Sequence, residues 1–362
     1  MNTEKTRKQI KILLLLDCTG CFMIAGASWV ALLAARGFSA IQIGFAESIF
    51  HVASMSFEIP SGAIADVFGR KKTLLAGRVM AVIATVLMIF SDGFLSVAIA
   101  MVASAFSYNL ASGTREALAY DTLKEAGIER EYDKFAANDM VIYQLTSSFA
   151  TLLAGLALYL GYRRAYLADL AVTLASLWIA VGLKEVKSGL SEELGIVRRF
   201  KEVAHESAVF LKSNGAARRM IAFSALTSAV AVLILFFLQA RLTNVGLKGI
   251  WLGPALFVMG LGSALGAKVN GAVNGKSYRK VGICCAIGVL ICIISVFTGN
   301  IYLMVAGGFT GAVAESLLCV RTDVLLNSMI PSEQRATLIS VNSFTYSVFM
   351  IVLSPVFGVL FS

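Results

Sequence analysis

The sequence predicts an all-α polytopic membrane protein. Of its 362 residues, 58% are hydrophobic and only 15% are charged, and the mean hydropathy is +0.79. A soluble domain carries about 25% charged residues, so a chain this apolar needs a lipid bilayer as its solvent. Its spans must be helices, because an open strand would leave backbone groups unpaired in lipid.

Eleven apolar windows are long enough to cross a bilayer, which takes about 20 residues. The first follows a basic N-terminal segment. It is too long for a signal peptide and lacks a small-residue cleavage site, so we interpret it as a span. The windows cover residues 10–34, 38–66, 73–91, 94–121, 134–161, 164–183, 217–240, 249–269, 278–299, 301–326 and 334–361.

Basic residues are distributed unevenly between the two sides of these windows. If the N-terminus is inside, the outer loops hold only Arg36, Arg163, Arg164, Arg241 and Lys248 of the 31 lysines and arginines. Such an imbalance follows the positive-inside rule. It predicts a multi-pass protein of the cell membrane with a cytoplasmic N-terminus. The net charge of +9 is therefore explained by topology, which argues against nucleic-acid binding.

The windows divide the chain into two bundles and a linker. Residues 1–183 form a predicted six-helix bundle, and residues 217–362 form a predicted bundle of five helices. Between them, residues 184–216 are polar. Apolar and basic residues alternate there as in an amphipathic helix, so we interpret this segment as a cytoplasmic linker on the inner leaflet. A regulatory binding segment is the alternative.

An internal repeat supports the two-bundle interpretation. Short matches recur at almost one offset, as expected for two parallel halves related by an axis along the membrane normal. The matched pairs are Gly62 and Gly266, Lys72 and Lys276, Asn138 and Asn342, all 204 apart, and Asp121 and Asp323, 202 apart.

The loop between the second and third windows carries the most specific motif. It contains Gly62-Ala-Ile-Ala-Asp66-Val-Phe-Gly69-Arg70-Lys71-Lys72. Together with the run from Ser112 to Asp121, this motif resembles the major facilitator superfamily, most closely its drug/proton antiporter branch. The resemblance covers essentially the whole chain. It implies the major facilitator fold with two pseudo-symmetric bundles, here 6 + 5, because the twelfth helix of the family is expected to be missing.

The resemblance also implies a conformational gate at the inner side. Asp66 would pair with Arg335, and Asp121 would complete the cluster. The alternative is that these charges only set the topology. Two features depart from the branch: Val67 replaces an arginine, and the fifth window lacks the Gly-Pro motif. The residues assigned to the gate are Gly62, Asp66, Gly69, Arg70, Lys71, Lys72, Arg115, Asp121 and Arg335.

Ionisable residues inside spans are costly and tend to face cavities or partners. Asp17, Glu47, His51 and Glu315 lie at depths that suit proton or substrate binding, and His51 follows Glu47 by one helical turn. Asp17 is the first choice, since the resemblance implies that the first helix lines the cavity. Packing against neighbouring polar groups is the alternative for each. Asp169 lies near the outer end of its window, where headgroups lower its cost.

Nothing in the sequence indicates catalysis, a metal or a cofactor. There is no phosphate-binding loop and no nucleophile with a nearby base. Cys18 and Cys21 have CxxC spacing, but they lie within a span and have no second pair, so we expect no metal or redox role.

These observations predict a secondary transporter that exports small amphiphilic compounds in exchange for protons. Its expected partners are a small-molecule substrate, protons and the lipid bilayer, and it is expected to act as a monomer. Two alternatives remain open: an importer of a small metabolite on the same fold, and a truncated remnant or sensor that does not transport.

Overall fold

The structure is a computed structural model of the chain. It describes the backbone of residues 3–186, 205, 209, 212–273, 275–329 and 335–362. Side chains at positions 3, 59, 63, 66, 327–329 and 335–340 lie outside that description. The side chains of the predicted gate pair, Asp66 and Arg335, are therefore outside the described residues, as is most of the predicted linker.

Within the described ranges every regular element is a helix. The helices of the first half are α1 (Thr3–Cys21), α2 (Ile24–Ala27), α3 (Trp29–Ala35), α4 (Ala40–Phe68), α5 (Arg70–Ile89), α6 (Phe94–Ala111), α7 (Thr114–Glu125), α8 (Tyr132–Leu152), α9 (Ala154–Leu160) and α10 (Tyr162–Val181). Those of the second half are α11 (Gly215–Asn244), α12 (Leu252–Val269), α13 (Tyr278–Val296), α14 (Ile301–Met329) and α15 (Arg335–Leu360). Short 3-10 turns cover Glu129–Glu131, Gly249–Trp251 and Asn270–Val273.

Eight helical segments of the described chain are long and apolar enough to cross a membrane. The count rises to nine if Glu129–Leu152 and Ala154–Leu160, which meet at 44°, form one span. The eleven-span count, and with it the 6 + 5 split, is therefore not confirmed. Two of the eleven windows are not among these nine. The first window is divided among α1, α2 and α3. The second corresponds to α4, which carries Glu47 and Glu58 among its apolar residues.

Glycine marks two of the places where helices begin. Gly113 has a φ of +72° at the break between α6 and α7, and Gly161 has a φ of +78° immediately before α10. Residues with a Cβ rarely adopt such angles. These glycines therefore divide apolar stretches into separate helices, and the first of them starts the short helix α7.

The chain forms two compact units. The first comprises Met1–Ala27, Ile49–Leu153 and Leu160–Lys201, and the second comprises Ser28–Ser48, Ala154–Tyr159 and Glu202–Ser362. The domain bounds predicted from the sequence remain a prediction.

A buried apolar cluster holds the first unit together around α7. It joins α1, α5, α7, α8, the last turn of α10 and the residues that follow α10. Next to it, Gln9 donates to the hydroxyl of Thr122 at 2.9 Å and exchanges two hydrogen bonds with the backbone of Lys184. The core therefore fixes α7 against α1. Its fully buried members are Leu13, Leu16, Leu74, Leu118, Ala119, Leu123, Phe135, Ala180, Leu183 and Val186.

Small residues bring helices of the second unit into close contact. A Cβ added at Gly262 or Gly266 of α12 would meet the carbonyl oxygens of Phe309 and Val313 in α14. Glycine allows backbones in a membrane to approach this closely, and the gain in van der Waals contact stabilises the crossing. The packing of α12 on α14 therefore depends on these two positions.

A proline in α15 leaves one backbone carbonyl without its helical donor, and a serine hydroxyl donates to that carbonyl instead. Pro355 has no N–H to donate to Ile351, four residues earlier. Ser48 of α4 donates its hydroxyl to that carbonyl oxygen at 2.8 Å. Because lipid offers no water to satisfy a freed carbonyl, this bond stabilises the packing of Ser48 on α15 within the second unit.

Candidate functional site

A group of charged side chains in the first unit, from the buried Asp17 to the 39% exposed Glu116, forms the candidate site, here called the Arg115 cluster. It consists of Asp17, Arg115, Glu116 and Asp139. Arg115 forms an ion pair with Asp17 through Nη1. Its Nη2 lies 2.9 Å from Glu116 Oε1 and 2.7 Å from Asp139 Oδ2. One guanidinium therefore holds three carboxylates, which come from α1, α7 and α8.

The local fold explains how these side chains meet. Gly113 is the last residue of the break between α6 and α7. Arg115 and Glu116 therefore lie in the first turn of α7. The buried apolar cluster described above places α7 against α1 and α8. Asp17 is 3% exposed, and such burial of a charge requires a partner. Arg115 supplies it.

A second arginine lies beside the Arg115 cluster. Arg78 of α5 donates from Nη2 to the carbonyl oxygen of Leu16 at 3.2 Å. Its guanidinium packs over Gly20, where an added Cβ would lie 2.7 Å from Nη1. The three carboxylates of the cluster thus have two guanidinium groups near them, those of Arg115 and Arg78. The formal count leaves one negative charge unbalanced.

The carboxylates keep unused acceptor atoms. Asp17 Oδ2, Glu116 Oε2 and Asp139 Oδ1 are buried and accept no hydrogen bond within the part of the chain that the structure describes. A buried carboxylate oxygen without a donor is costly. Uptake of a proton or of a cation would supply the missing partner and would also cancel the unbalanced charge.

Part of the predicted gate is organised around Arg70. This side chain is buried, forms an ion pair with Asp121 and donates to the carbonyl oxygen of Ala117. Arg115, assigned to the gate on sequence, contacts Asp17 instead. Of the residues predicted to form the gate, Arg70 and Asp121 therefore pair with each other. Arg115 belongs to the Arg115 cluster.

The turn before α5 shows why glycine is required there. Gly69 has φ +98° and ψ 147°, and a Cβ at this position would lie 2.6 Å from Glu185 Oε2. Glu185 Oε1 accepts the backbone N–H of Lys71 at 3.1 Å. A carboxylate at the start of a helix satisfies a free donor and complements the helix dipole. Glu185 thus joins the turn to the residues after α10.

The remaining gate positions are less constrained. No described atom lies within 4 Å of a Cβ added at Gly62. Its repeat partner Gly266 makes a close approach to α14. Lys72 is exposed and Lys71 is half-buried.

The other residues predicted to bind protons or substrate lie on α4 and α14. Glu47 and His51 of α4 are both buried, the first in the second unit and the second in the first unit. Glu315 of α14 accepts a hydrogen bond from the hydroxyl of Ser228 at 3.1 Å. Asp169, expected near the headgroups, is 3% exposed.

Sequence reasoning did not assign Glu116, Asp139, Arg78 or Glu185 to a site. Asp139 lies inside the window 134–161 and Arg78 inside the window 73–91, so a full search for charges within the windows would have found both. Glu116 stands next to Arg115 in the quoted motif. No sequence signal pointed to Glu185, because its partners lie 114 residues earlier.

The sequence is similar to one protein family over most of its length. A profile described as the Major Facilitator Superfamily matches residues 12–276. No curated protein matches the sequence.

Solved transporters share the fold. A mutant of the nucleoside transporter NupG has a TM-score of 0.80 and 14% identity, covering 98% of this chain and 91% of its own. A bacterial homolog of the human lysosomal transporter Spinster has a TM-score of 0.75 and 14% identity, covering 99% and 82%. A D-xylose–proton symporter has a TM-score of 0.66 and 14% identity, covering 96% and 88%. At such identities the likeness concerns the fold alone.

Proposed function

Because the chain belongs to the major facilitator superfamily, we propose that it is a secondary active transporter that exports small amphiphilic compounds in exchange for protons. It is a multi-pass membrane protein of a transporter family and not an enzyme. Alternating access then requires that one binding site be reached from each side in turn. The proposal places the protein in the cell membrane as a monomer with a cytoplasmic N-terminus.

The proposed coupling of substrate export to proton entry rests on the unbalanced charge at the Arg115 cluster. Charged groups inside apolar helices are costly unless they are neutralised. The cluster holds three carboxylates and one guanidinium, and the neighbouring Arg78 leaves one negative charge unbalanced. A proton on Asp17 or Asp139 would neutralise that charge, and so would a cationic substrate. Two ligands that compete for the same carboxylates displace each other, which is the thermodynamic requirement for exchange. Lipophilic cations are therefore the proposed substrate class.

Three further residues remain proposed for proton or substrate binding. Glu47 and His51 are buried on one helix, and Glu315 is held by Ser228. Burial of an ionisable side chain in an apolar helix supports a binding role for each of them. The Arg115 cluster adds a guanidinium that three carboxylates share. We rank them after the Arg115 cluster.

We also propose that the loop before α5 is a conformational gate. Its members are Gly62, Asp66, Gly69, Arg70, Lys71, Lys72, Asp121 and Arg335. The ion pair of Arg70 and Asp121 supports this proposal, because both side chains are largely buried and the charge of each depends on the other. Loss of either partner would bias a two-state equilibrium. The pairing of Asp66 with Arg335 remains a proposal.

The experiment measures ethidium accumulation in efflux-deficient bacteria that express the full chain. We expect lower accumulation than in cells with an empty vector, and we expect an uncoupler to abolish the difference. The wild-type chain must be detected in the membrane fraction. Higher accumulation than in the control would indicate import, and equal accumulation across tetracycline, ethidium and a fluoroquinolone would contradict the proposed substrate class.

The gate is tested at Arg70. The Arg70→Lys variant keeps the charge but cannot hold both Asp121 and the carbonyl of Ala117, since lysine lacks the planar fork of arginine. We expect ethidium export to fall about tenfold, which corresponds to destabilising the gated conformation by about 1.4 kcal/mol relative to the other one. Arg163→Lys is the matched control, because Arg163 forms an ion pair with Asp92 on the exposed surface and lies outside the proposed gate. Equal export by both variants would refute a role for the ion pair.

A further inference from the structure

The first apolar window is interrupted by a break that one side chain holds. α1 ends at Cys21 and α2 begins at Ile24. Across this break, Asp169 of α10 accepts the backbone N–H of Ile24 on Oδ1 at 2.8 Å and that of Gly26 on Oδ2 at 2.9 Å. Both carboxylate oxygens therefore bind the backbone of the first span.

Elementary chemistry explains why an acid is buried there. The first N–H groups of a helix have no acceptor within the helix, and lipid provides no water to replace it. A carboxylate can accept two such bonds at once, one on each of its oxygens. Asp169 is 3% exposed, so the cost of burying its charge is offset by the backbone of the break.

A second contact joins α10 to α1, on the other side of the break. Thr19 of α1 donates its hydroxyl to Ser176 of α10 at 3.0 Å. Asp169 and Ser176 are seven residues apart, which is about two helical turns. Together these bonds set the register of α1 on α10. Asp17 lies two residues before Thr19, and in this register it forms its ion pair with Arg115.

We infer that Asp169 is a positioning residue for the Arg115 cluster. By binding the N–H groups of Ile24 and Gly26 it fixes the break in the first span and holds the last turn of α1 in place. That turn carries Asp17 and Cys21, whose Sγ lies 3.7 Å from Asp17 Oδ1. The inference rests on the proposed function only in that it assumes a transport role for Asp17.

The test uses the purified full chain in lipid nanodiscs and needs no substrate. Hydrogen–deuterium exchange of residues 22–27 reports the two backbone bonds, and N-ethylmaleimide labelling of Cys21, quantified by peptide mapping, reports the last turn of α1. For Asp169→Ala we expect exchange about tenfold faster and labelling about fivefold faster than in the wild type. Asp169→Asn keeps one acceptor oxygen, so both rates should fall between these values.

Thr173→Val is the matched control. Thr173 is equally buried one turn along α10, but its hydroxyl donates only to the carbonyls of Asp169 and Leu170 in its own helix. We expect both rates to stay at the wild-type values in this variant. A comparable rise in this control would mean that any loss of packing in α10 has the same effect, which would overturn the inference.

Two other outcomes would also overturn it. One is wild-type exchange at residues 22–27 in a monodisperse Asp169→Asn or Asp169→Ala protein. The other is faster exchange with unchanged labelling of Cys21, which would confine Asp169 to the break itself. Failure of the proposed function is a separate result: a wild-type chain that does not export ethidium would leave both structural measurements intact.

Discussion

Arg115 and Asp139 meet at 2.7 Å between Nη2 and Oδ2, although they belong to different helices and lie 24 residues apart. The same guanidinium pairs with Asp17, 98 residues earlier in the chain. This shared cation joins α1, α7 and α8 at one point of the first unit. Substitution of any of its three carboxylates should therefore change the interaction energies of the other two, because the effects of mutations within one network are not additive.

Asp17→Asn and Asp139→Asn should each impair energised export. Either change removes one negative charge and one site for a proton, so the cluster no longer alternates between two charge states. We expect uncoupler-sensitive ethidium export to fall about tenfold or more, a typical size for a lost coupling. Asp92→Asn is the control, because Asp92 is exposed and pairs only with exposed Arg163. Wild-type export by both cluster variants would contradict the proposed coupling.

Arg115→Gln should destabilise the protein more than either acid variant does. It leaves three carboxylates without their shared cation, and loss of the partner of a buried charge costs about 3 kcal/mol, which is an upper bound here because the Glu116 side chain is 39% exposed. The free energy of unfolding in mixed micelles is the measurement. Adding Asp17→Asn to Arg115→Gln should recover part of the loss, because one uncompensated charge is then removed. If the double variant is less stable than the single one, charge balance is not the cause.

The exposed ion pair provides the reference for that measurement. Arg163 is 66% exposed and lies 2.9 Å from Asp92. Pairs in such surroundings contribute about 0–1 kcal/mol. Arg163→Gln should therefore leave the free energy of unfolding nearly unchanged under the same conditions.

Gly69→Ala should be destabilising and Gly62→Ala should not. The backbone angles of Gly69 suit glycine alone, which makes a Cβ there cost about 1–3 kcal/mol, and the new methyl group would also displace Glu185. Gly62 lies within α4 with no described atom near its Cβ position, so alanine should be tolerated. Thermal unfolding of both variants checks this. Partial recovery in Gly69→Ala with Glu185→Ala is expected, and equal melting temperatures for the two single variants would argue against the local strain.

Gly266→Val should disturb the crossing of α12 and α14. Its Cβ would meet the carbonyl of Val313 and lie 3.0 Å from the N atom of Leu317, and overpacking of this kind costs about 1–3 kcal/mol. Gly260→Val on the same helix is the control, because no described atom lies within 4 Å of its Cβ position. Folded yield after detergent extraction should fall for the first variant only. A similar loss for both would indicate that helix propensity, and not the crossing, limits the yield.

Much of the architecture can be predicted from the amino-acid sequence. An all-α membrane protein follows from the apolar composition, and the loop motif from Gly62 to Lys72 indicates the superfamily that the profile match confirms. The drug/proton antiporter branch and the direction of transport stay predictions. The count of eleven spans is not confirmed, because hydropathy windows do not reveal that α1, α2 and α3 divide one of them.

The candidate site can be predicted only in part. Asp17 is singled out by sequence as a buried acid, whereas Arg115 is placed in a different group of residues. Asp139 and Arg78 are passed over although both interrupt apolar windows. The reason is that hydropathy reports how costly a charge is in lipid, whereas its partner is set by which helices pack together.

Class and family thus follow from the order of the residues, because solvent preference and a local loop motif are properties of short segments. The pairing of Asp17 with Arg115, the hold of Asp169 on the break in the first span, and the bond from Ser48 to the carbonyl freed by Pro355 were decided by the packing of distant segments. Buried charges and unpaired backbone groups must find partners in space, and the nearest partner in space is rarely the nearest in sequence.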